Sequence, residues 1–252
     1  MRWNGSVIGR KQAEGKGAWS LRSHCVLRQG NDWPYPIGVP ITSNLIFHID
    51  ASRPETVTLN GGYVSKILDL SSSPKTVDQT TAANQPLYVP NAQNGLNAML
   101  FDLGYSHSLN VTSTTIPASH TMFWVFRRSS GEQAISLASA SRYSYWYHPT
   151  NTIFQDSNGQ TSGTPSSPHG GWFYGTTRRN GTTQIRLRRN GTTVNDATSG
   201  LSAASGSWDR IGLFSTTSFS RCLIGEIIAY DTNLSDGDVD SVESYLATKW
   251  NI

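Results

Sequence analysis

Long apolar runs are missing from this sequence, and cysteine is nearly absent. No stretch of eighteen or more apolar residues exists, so no segment is long enough to cross a bilayer as a helix, and we expect no membrane insertion. The beginning, MRWNGSVIGRKQ, lacks the continuous apolar segment of a secretory signal, which predicts a protein that is not exported by that route. The two cysteines, Cys25 and Cys222, are far apart and lack metal-ligand spacing, so we interpret both as reduced thiols.

Charge is also scarce, and it is unevenly distributed. Charged residues make up 15% of the 252 residues, and the formal net charge is +3. Residues 1–42 contain six basic and two acidic residues, a net charge of +4, whereas the remaining 210 contain 14 basic and 15 acidic ones, a net charge of −1. A body with negative net charge is not typical of nucleic-acid-binding domains, so we expect no nucleic-acid partner.

The basic segment, residues 1–42, has the composition of an arm. Glycine and proline occur throughout it, no periodicity is sustained, and it ends in the stiff stretch WPYPIGVP. Its three tryptophans are too apolar for a tail that stays in water, which predicts that the arm docks on its own body or on a neighbouring protein. The sequence therefore predicts an N-terminal attachment arm and linker over 1–42 and a folded domain over 43–252.

Short alternating patterns fill the predicted domain. The segment NLIFHID places Leu45, Phe47 and Ile49 on one face of a strand, and NAMLFD, TMFWVFRR, RIGLFST and CLIGEIIAYD are further strand candidates between polar turns. One helix is predicted, in NLSDGDVDSVESYLATKWNI, where Ser235 can cap the amino end with Asp238 at the capping-box position. Many short strands followed by one helix indicate a β-sandwich.

The hexapeptide RRNGTT occurs at 178–183 and again at 188–193. Asn-Gly favours two-residue hairpin turns, in which both residues need positive φ, so the repeat predicts two consecutive hairpins that share one strand. Ile185 and Leu187 would lie on the buried face of that strand. The surrounding arginines are either a patch for an acidic sugar, phosphate or carboxylate, or a solvated sheet face that discourages aggregation, and we favour the second. They are Arg178, Arg179, Arg186, Arg188 and Arg189.

Two blocks of the domain carry a resemblance to a known family. They are LIFHIDASRPETVTLNGGYVSKILDLSSS with NQPLYVPNAQNGLNAMLFD, and IGEIIAYDTNLSDGDVDSVESYLATKWNI. Both resemble the laminin-G-like, concanavalin A-like jelly-roll modules common in phage and bacterial surface proteins. Ile67 stands where such modules usually have Trp, and Ser72 where they usually have Gly, which affects local packing more than the fold. The predicted fold class is all-β, an antiparallel β-sandwich (concanavalin A-like jelly roll) with an extended N-terminal arm and one C-terminal helix.

The arm carries a second resemblance. WNGSVIGR and GAWSLRSHCVLRQGNDWP are similar to leaders that precede this module in tailed-phage virion proteins. The resemblance implies a virion structural protein with other capsid or tail proteins as partners, and by analogy a homo-oligomer. The attachment residues that it implies are Trp3, Arg10, Trp19, Arg22, Arg28 and Trp33.

No pattern of residues indicates catalysis. A jelly-roll hydrolase would need two carboxylates at neighbouring inward positions of one strand, and the Glu-x-Asp-x-Glu spacing that provides them is absent. The nearest candidates are Glu226 and Asp231, which we interpret as a strand-edge residue and a turn residue. GxSxG and HExxH are also absent, so the sequence predicts no catalytic residues and no enzyme.

No cofactor or metal is predicted either. GRKQAEGKG has five residues between its glycines and Gly17 after its lysine, where a phosphate loop needs four residues and then Ser or Thr. In DTNLSDGDVDSVE, Asp236 occupies the position where a calcium loop needs Gly, and Val242 the position of its bidentate Glu. The six histidines show no metal-ligand spacing.

An aromatic cluster beside a long polar loop is the candidate glycan site. Tyr145, Trp146 and Tyr147 offer aromatic faces, and the loop that contains Asp156 and Asn158 supplies carboxylate, amide and hydroxyl groups. Alternation sends Trp146 to the opposite face from the two tyrosines, so we expect part of the cluster to be packing. Together with the two resemblances, which imply a virion protein, the sequence predicts a non-enzymatic capsid decoration or tail or fibre component that binds host-surface glycans. The alternatives are a free lectin-like module and, less favoured, a glycosidase.

Overall fold

The computed structural model describes residues 38–128, 135–138, 143–146, 154–155, 170–199, 201, 206–213 and 219–252. The strands within these ranges are β1 Leu45–Asp50, β2 Val57–Asn60, β3 Tyr63–Ile67, β4 Val77–Asp78, β5 Leu87–Gln93, β6 Leu96–Phe101, β7 Leu109–Ile116, β8 His120–Arg128, β9 Ile135–Ala138, β10 Tyr143–Trp146, β11 Phe154–Gln155, β12 Trp172–Asn180, β13 Gln184–Arg189, β14 Thr192–Ala197, β15 Gly206–Ile211 and β16 Cys222–Tyr230. The α-helix, α1, is Asp236–Trp250, and short 3₁₀ turns lie at Pro54–Thr56, Ala82–Asn84 and Leu103–Tyr105.

The strands pair antiparallel in one continuous order that folds into two layers. That order is β11, β10, β9, β15, β7, β4, β3, β5, β6, β16, β8, β12, β13 and β14, while β1 pairs with β16 and β2 with β3. Strand β16 lies at the centre of one layer, because β8 pairs along its length, β6 pairs with its first half and β1 with its second half. The predicted antiparallel β-sandwich is confirmed.

The main core lies between the two layers. Apolar side chains that alternate along the strands point into it, and the ring of Phe47 on β1 meets the ring of Trp208 on β15 edge-on, with centroids 4.8 Å apart. Ile67, which stands where the resembling modules usually have Trp, is fully buried here. Other members of this core are Ile49, Met99, Phe101, Leu109, Met122, Trp124, Phe126, Phe173, Ile185, Leu187, Ile211, Ile224 and Ile227.

Helix α1 covers the second face of β8 and β16. Phe123 and Val125 on β8 point towards the helix, whereas their neighbours Trp124 and Phe126 point into the main core. This double burial explains why TMFWVFRR and CLIGEIIAYD are apolar at nearly every position. The helix contributes Val239, Val242, Tyr245, Leu246 and Trp250 to this second cluster.

The predicted start of the helix is confirmed. Ser235 is the N-cap, and its hydroxyl oxygen accepts a hydrogen bond from the backbone N–H of Asp238. Leu234, before the cap, is buried in the same cluster as Val239. Among the described residues, no helix is both long and apolar enough to span a membrane.

The repeated hexapeptide does form two hairpins, with β13 shared between β12 and β14. At the second repeat Asn190 and Gly191 both have positive φ, 44° and 77°, as a two-residue turn requires. The first repeat differs: only Gly181 has positive φ, and the turn closes when the N–H of Thr183 donates to the Asn180 carbonyl. The first turn is therefore one residue longer than the second, although the two hexapeptides are identical.

The predicted strands are present with small differences. NLIFHID, NAMLFD, TMFWVFRR and CLIGEIIAYD contain β1, β6, β8 and β16. RIGLFST contributes Arg210 and Ile211 to the end of β15 and Leu213 to an isolated bridge with Phe219, and its residues 214–216 lie outside the described ones. The described end of the predicted linker contacts the domain. Val39 is buried in the cluster under α1, and the Tyr230 hydroxyl donates to the Ile41 carbonyl over 2.9 Å.

Candidate functional site

Of the predicted glycan-binding residues, Tyr145 and Trp146 lie on strand β10. The backbone of Tyr145 pairs with Ser136 on β9 and with Phe154 on β11, which places the strand near one end of the sheet order. Tyr147, Asp156 and Asn158 lie outside the described residues. The predicted attachment residues Trp3, Arg10, Trp19, Arg22, Arg28 and Trp33 also lie outside them.

The arginines of the hairpins are not the solvated face that the sequence predicts. Arg178 bonds the side chains of Asn233 and Asp236, and its hydrogen bond is the main cause that lowers the pKa of Asp236. Arg188 Nη1 lies 2.9 Å from Asp240 Oδ1 and Nη2 lies 3.0 Å from Glu243 Oε2. These three acidic residues belong to α1, and Asn233 precedes it. The arginine face is thus directed at the helix of the same chain.

Two further arginines of this group have internal roles. Arg179 is fully buried and donates through Nε to the Gly181 carbonyl over 3.0 Å. The guanidinium carbon of Arg189 lies 4.8 Å from the centre of the Phe173 ring. The patch is therefore neither a bare anion site nor a uniform solvent face, because its members hold the hairpins to their surroundings.

Glu226 is the centre of a buried polar cluster, which contradicts its interpretation as a strand-edge residue. It lies in the middle of β16, on the face covered by α1, and only 1% of it is exposed. We use the name buried polar cluster for His48, Asp50, Glu226, Tyr245 and Lys249. Asp231, by contrast, is exposed just after the strand, as a turn residue would be.

Each carboxylate oxygen of Glu226 accepts two hydrogen bonds. The Tyr245 hydroxyl and His48 Nε2 each lie 2.9 Å from Oε1, so the His48 ring presents a donor at that nitrogen. Lys249 Nζ lies 2.9 Å and Trp250 Nε1 3.0 Å from Oε2. Four donors from β1 and α1 thus satisfy one carboxylate, as burial of a charge requires.

The electrostatics of this cluster follow from burial and from the lysine. Burial by itself raises the pKa of Glu226, but Lys249, His48 and Trp250 outweigh it and hold that pKa well below its usual range. Burial by itself lowers the pKa of Lys249, but Asp50 and Glu226 outweigh it and raise that pKa. Both groups are therefore charged at neutral pH.

The same cluster contains a set of potential metal ligands that histidine spacing in the sequence does not indicate. Ligand atoms of His48, Asp50 and Glu226 all lie within 4.8 Å of one another. Lys249 Nζ bonds both carboxylates, so its ammonium occupies the position that a cation would take between them. A metal would have to displace a buried lysine, and the cluster functions as a closed ion-pair network.

The stability of the domain should depend on pH through this cluster. The Glu226 pKa is lower in the folded than in the unfolded state, so Glu226 contributes fully to the free energy of unfolding above its unfolded pKa of about 4.3. Below that pH the contribution is lost by up to about 1.4 kcal/mol per pH unit. Because the Lys249 pKa is raised, its contribution is complete below about pH 10.4 and is lost above it. Urea unfolding between pH 2 and pH 7 should show a shallower acid slope in Glu226→Gln than in the native chain. Equal slopes would contradict this assignment.

An exposed aromatic patch surrounds the ring of His107, and it was not predicted from the sequence. Tyr63 is 41% and Tyr105 67% exposed, and both rings contact the ring of His107, which is buried. The Tyr105 and His107 rings are stacked with centroids 5.5 Å apart, and the Tyr63 ring stands edge-on to His107 at 6.2 Å. We call these three residues the tyrosine platform. A signal was present in NGGY and LGYSH, where tyrosines follow turn glycines that place them at the surface.

Comparison with known proteins gives matches in fold only. No defined protein family matches the chain, and no curated protein matches it in sequence. Domain 4 of AbnA, a GH43 extracellular arabinanase from Geobacillus stearothermophilus in complex with arabinotriose, matches with a TM-score of 0.57 and 11% identity, over 79% of this chain and 98% of that domain. The fold is a jelly-roll β-sandwich.

Bacterial toxin domains share this architecture. The binding domain of botulinum neurotoxin serotype C1 matches with a TM-score of 0.54 and 16% identity, over 82% of this chain and 53% of that one. The binding domain of botulinum neurotoxin DC in complex with SialylT matches with a TM-score of 0.52 and 14% identity, over 82% and 52%. This chain spans about half the length of the two neurotoxin chains, and at these identities the likeness establishes the fold alone.

Proposed function

We propose that this protein is a non-enzymatic carbohydrate-binding module that is displayed on a virion. The observation that carries the binding part is the jelly-roll sandwich, which it shares with domains solved in complex with arabinotriose and with SialylT. Fold likeness at low identity is an analogy, and the exposed aromatic surface of this chain gives it chemical support.

Binding is favoured over glycoside hydrolysis by the state of the carboxylates. A glycosidase places two carboxyl groups on either side of a scissile bond, where a sugar and a water can reach them. Glu226 and Asp50 are instead buried under α1 and bonded to Lys249. Their carboxylate oxygens lie within 4.8 Å of each other, but only 1% of each residue is exposed, which leaves no approach for a saccharide.

A glycan array tests the binding function directly. The full chain should bind a subset of the oligosaccharides on the array, and it should release no reducing sugar from them. Absence of any retained saccharide would contradict the binding proposal. Release of reducing sugar that disappears in Glu226→Gln, assayed well below the thermal midpoint of that variant, would support the glycosidase alternative instead.

The virion part of the proposal rests on the arm and on its resemblance to phage leaders. The attachment role falls to the tryptophans and arginines named above, and partners would be capsid or tail proteins, with a homo-oligomer as the expected state. Because Val39 and Ile41 contact the domain, a deletion that keeps these contacts must stop at residue 37. Removal of residues 1–37 should leave a folded module that no longer enters particles.

Purified particles provide the measurement. Mass spectrometry should detect the native chain in particles and fail to detect the deletion variant, which should unfold at the same temperature as the native chain. Equal incorporation of both proteins would contradict attachment through the arm. Absence of the native chain from particles would support the alternative, a free lectin-like module.

A further inference from the structure

The geometry points to the tyrosine platform as the saccharide site of this protein, with Tyr63 and Tyr105 against the apolar face of a neutral pyranose ring. This inference rests on the proposed function and specifies where and what the module binds. It differs from the site predicted from sequence around β10.

The first argument is the convergence of exposed aromatic rings. A single exposed apolar residue on a protein surface is ordinary, but Tyr63 comes from β3 and Tyr105 from the 3₁₀ turn after β6, and both contact His107. Sugar rings expose axial C–H bonds on one face, and these bonds interact favourably with the negative face of an aromatic ring. Phenolic hydroxyls at the edge of such a surface can also bond sugar hydroxyls.

The second argument is that the loop carrying Tyr105 is held rigidly. Asp102 caps the 3₁₀ turn, with Oδ1 accepting from the Gly104 N–H at 3.0 Å. Ser108 N–H donates to the Asn84 carbonyl over 2.9 Å, and the Gln79 side chain donates to the Ser108 carbonyl over 3.1 Å. These bonds fix the loop before any ligand arrives, so little conformational entropy is lost on binding.

The third argument is the chemistry at the border of the platform. Asp102, whose backbone N–H bonds His107 Nδ1 and whose side chain caps the turn that carries Tyr105, supplies a carboxylate next to the platform, a group that bonds sugar hydroxyls. Arg221 Nε lies 3.8 Å from Asp102 Oδ1, so the two charges compensate each other. Burial lowers the pKa of His107, so its ring is uncharged near neutral pH. A border without net charge favours a neutral saccharide over a sialylated one.

The test compares variants of the full chain on an array of neutral and sialylated oligosaccharides that includes arabinotriose. Tyr63→Ala and Tyr105→Ala should each raise the half-saturating protein concentration for a retained neutral saccharide about tenfold or more. Tyr105→Phe keeps the ring and should stay within about threefold. Leu59→Ala is the matched control, because it removes an apolar side chain that is exposed to a similar degree as Tyr63, lies outside the platform and should leave binding unchanged.

The outcomes separate this inference from the function on which it rests. If the native chain binds no saccharide on the array, both the platform and the proposed function are contradicted. Binding that survives both tyrosine substitutions and is lost in Trp146→Ala contradicts the platform, keeps the proposed function and assigns the site to β10. Retention of sialylated glycans alone contradicts the neutral class. The exposed tyrosines carry little of the core, so both tyrosine variants should keep the native thermal midpoint, which excludes unfolding as the cause of a loss.

Discussion

Replacement of Lys249 by Met is expected to lower the free energy of unfolding by about 3–5 kcal/mol. The substitution removes the ammonium that bonds Asp50 and Glu226 and leaves two carboxylates facing each other in a buried site. The methionine fills similar volume, so the expected loss comes from uncompensated charge rather than from a cavity. Chemical denaturation with urea at pH 7 measures it.

Two further variants make this result specific to the buried charge. Lys66→Met is the matched control, because Lys66 is exposed on β3 and its loss should change stability by less than about 0.5 kcal/mol. The double variant Glu226→Gln, Lys249→Met should cost less than the sum of its single variants, because neutralising Glu226 removes much of the repulsion that Lys249→Met exposes. A Lys249→Met chain as stable as the Lys66→Met chain would contradict the ion-pair assignment.

The sandwich could be predicted from sequence because its signal is local. Alternation correctly predicts that Phe47 and Ile49 share the core face of β1, and the cap at Ser235 starts α1. The prediction is wrong for Leu45, because a register shift between Leu45 and Phe47 turns Leu45 into the cluster under α1. The shared hairpin strand follows in the same way from Asn-Gly turns and from the pair Ile185 and Leu187. Local patterns thus determine the elements and which face of each is buried.

The buried polar cluster could not be predicted because it joins distant parts of the chain. His48 and Glu226 are 178 residues apart, and Asp50 and Lys249 are 199 apart. No local pattern in the sequence links residues that far apart, so the sequence showed no partner for a glutamate within an apolar strand. The partner exists only once β1 pairs with β16 and α1 folds over them.

The same limit applies to the surface. The arginines of the hairpins were visible as a charge cluster, but their acidic partners Asp236, Asp240 and Glu243 lie in a different element. The tyrosine platform likewise combines Tyr63, the first residue of β3, with two residues of the loop after β6. The segment with Tyr145 and Trp146 was selected as the glycan site because its aromatic residues are adjacent in the sequence. The platform can be recognised only from ring contacts in the folded chain.

Substitution of Gly225 by Ala is expected to lower the free energy of unfolding by about 3 kcal/mol. Gly225 lies where the register of β16 against β8 shifts, a bulge between Ile224 and Glu226. A Cβ at this position would lie 2.4 Å from Trp250 Cη2 and 2.6 Å from Cζ2, far inside van der Waals contact. The Trp250 ring is held in place, because Nε1 bonds Glu226 and the ring stacks on Trp172 with centroids 5.6 Å apart.

The effect should come from this contact rather than from glycine's backbone freedom, because Gly225 is not among the residues with positive φ in the described chain. Gly237→Ala is the matched control: nothing lies within 4 Å of its Cβ, and in the first turn of α1 alanine should be neutral or stabilise by up to about 1 kcal/mol. Thermal unfolding of both variants measures the difference. Gly225→Ala should also cost less in a Trp250→Leu background, where the smaller side chain can yield, than in the native chain. An equal cost in both backgrounds would show that the tryptophan ring is not the obstacle.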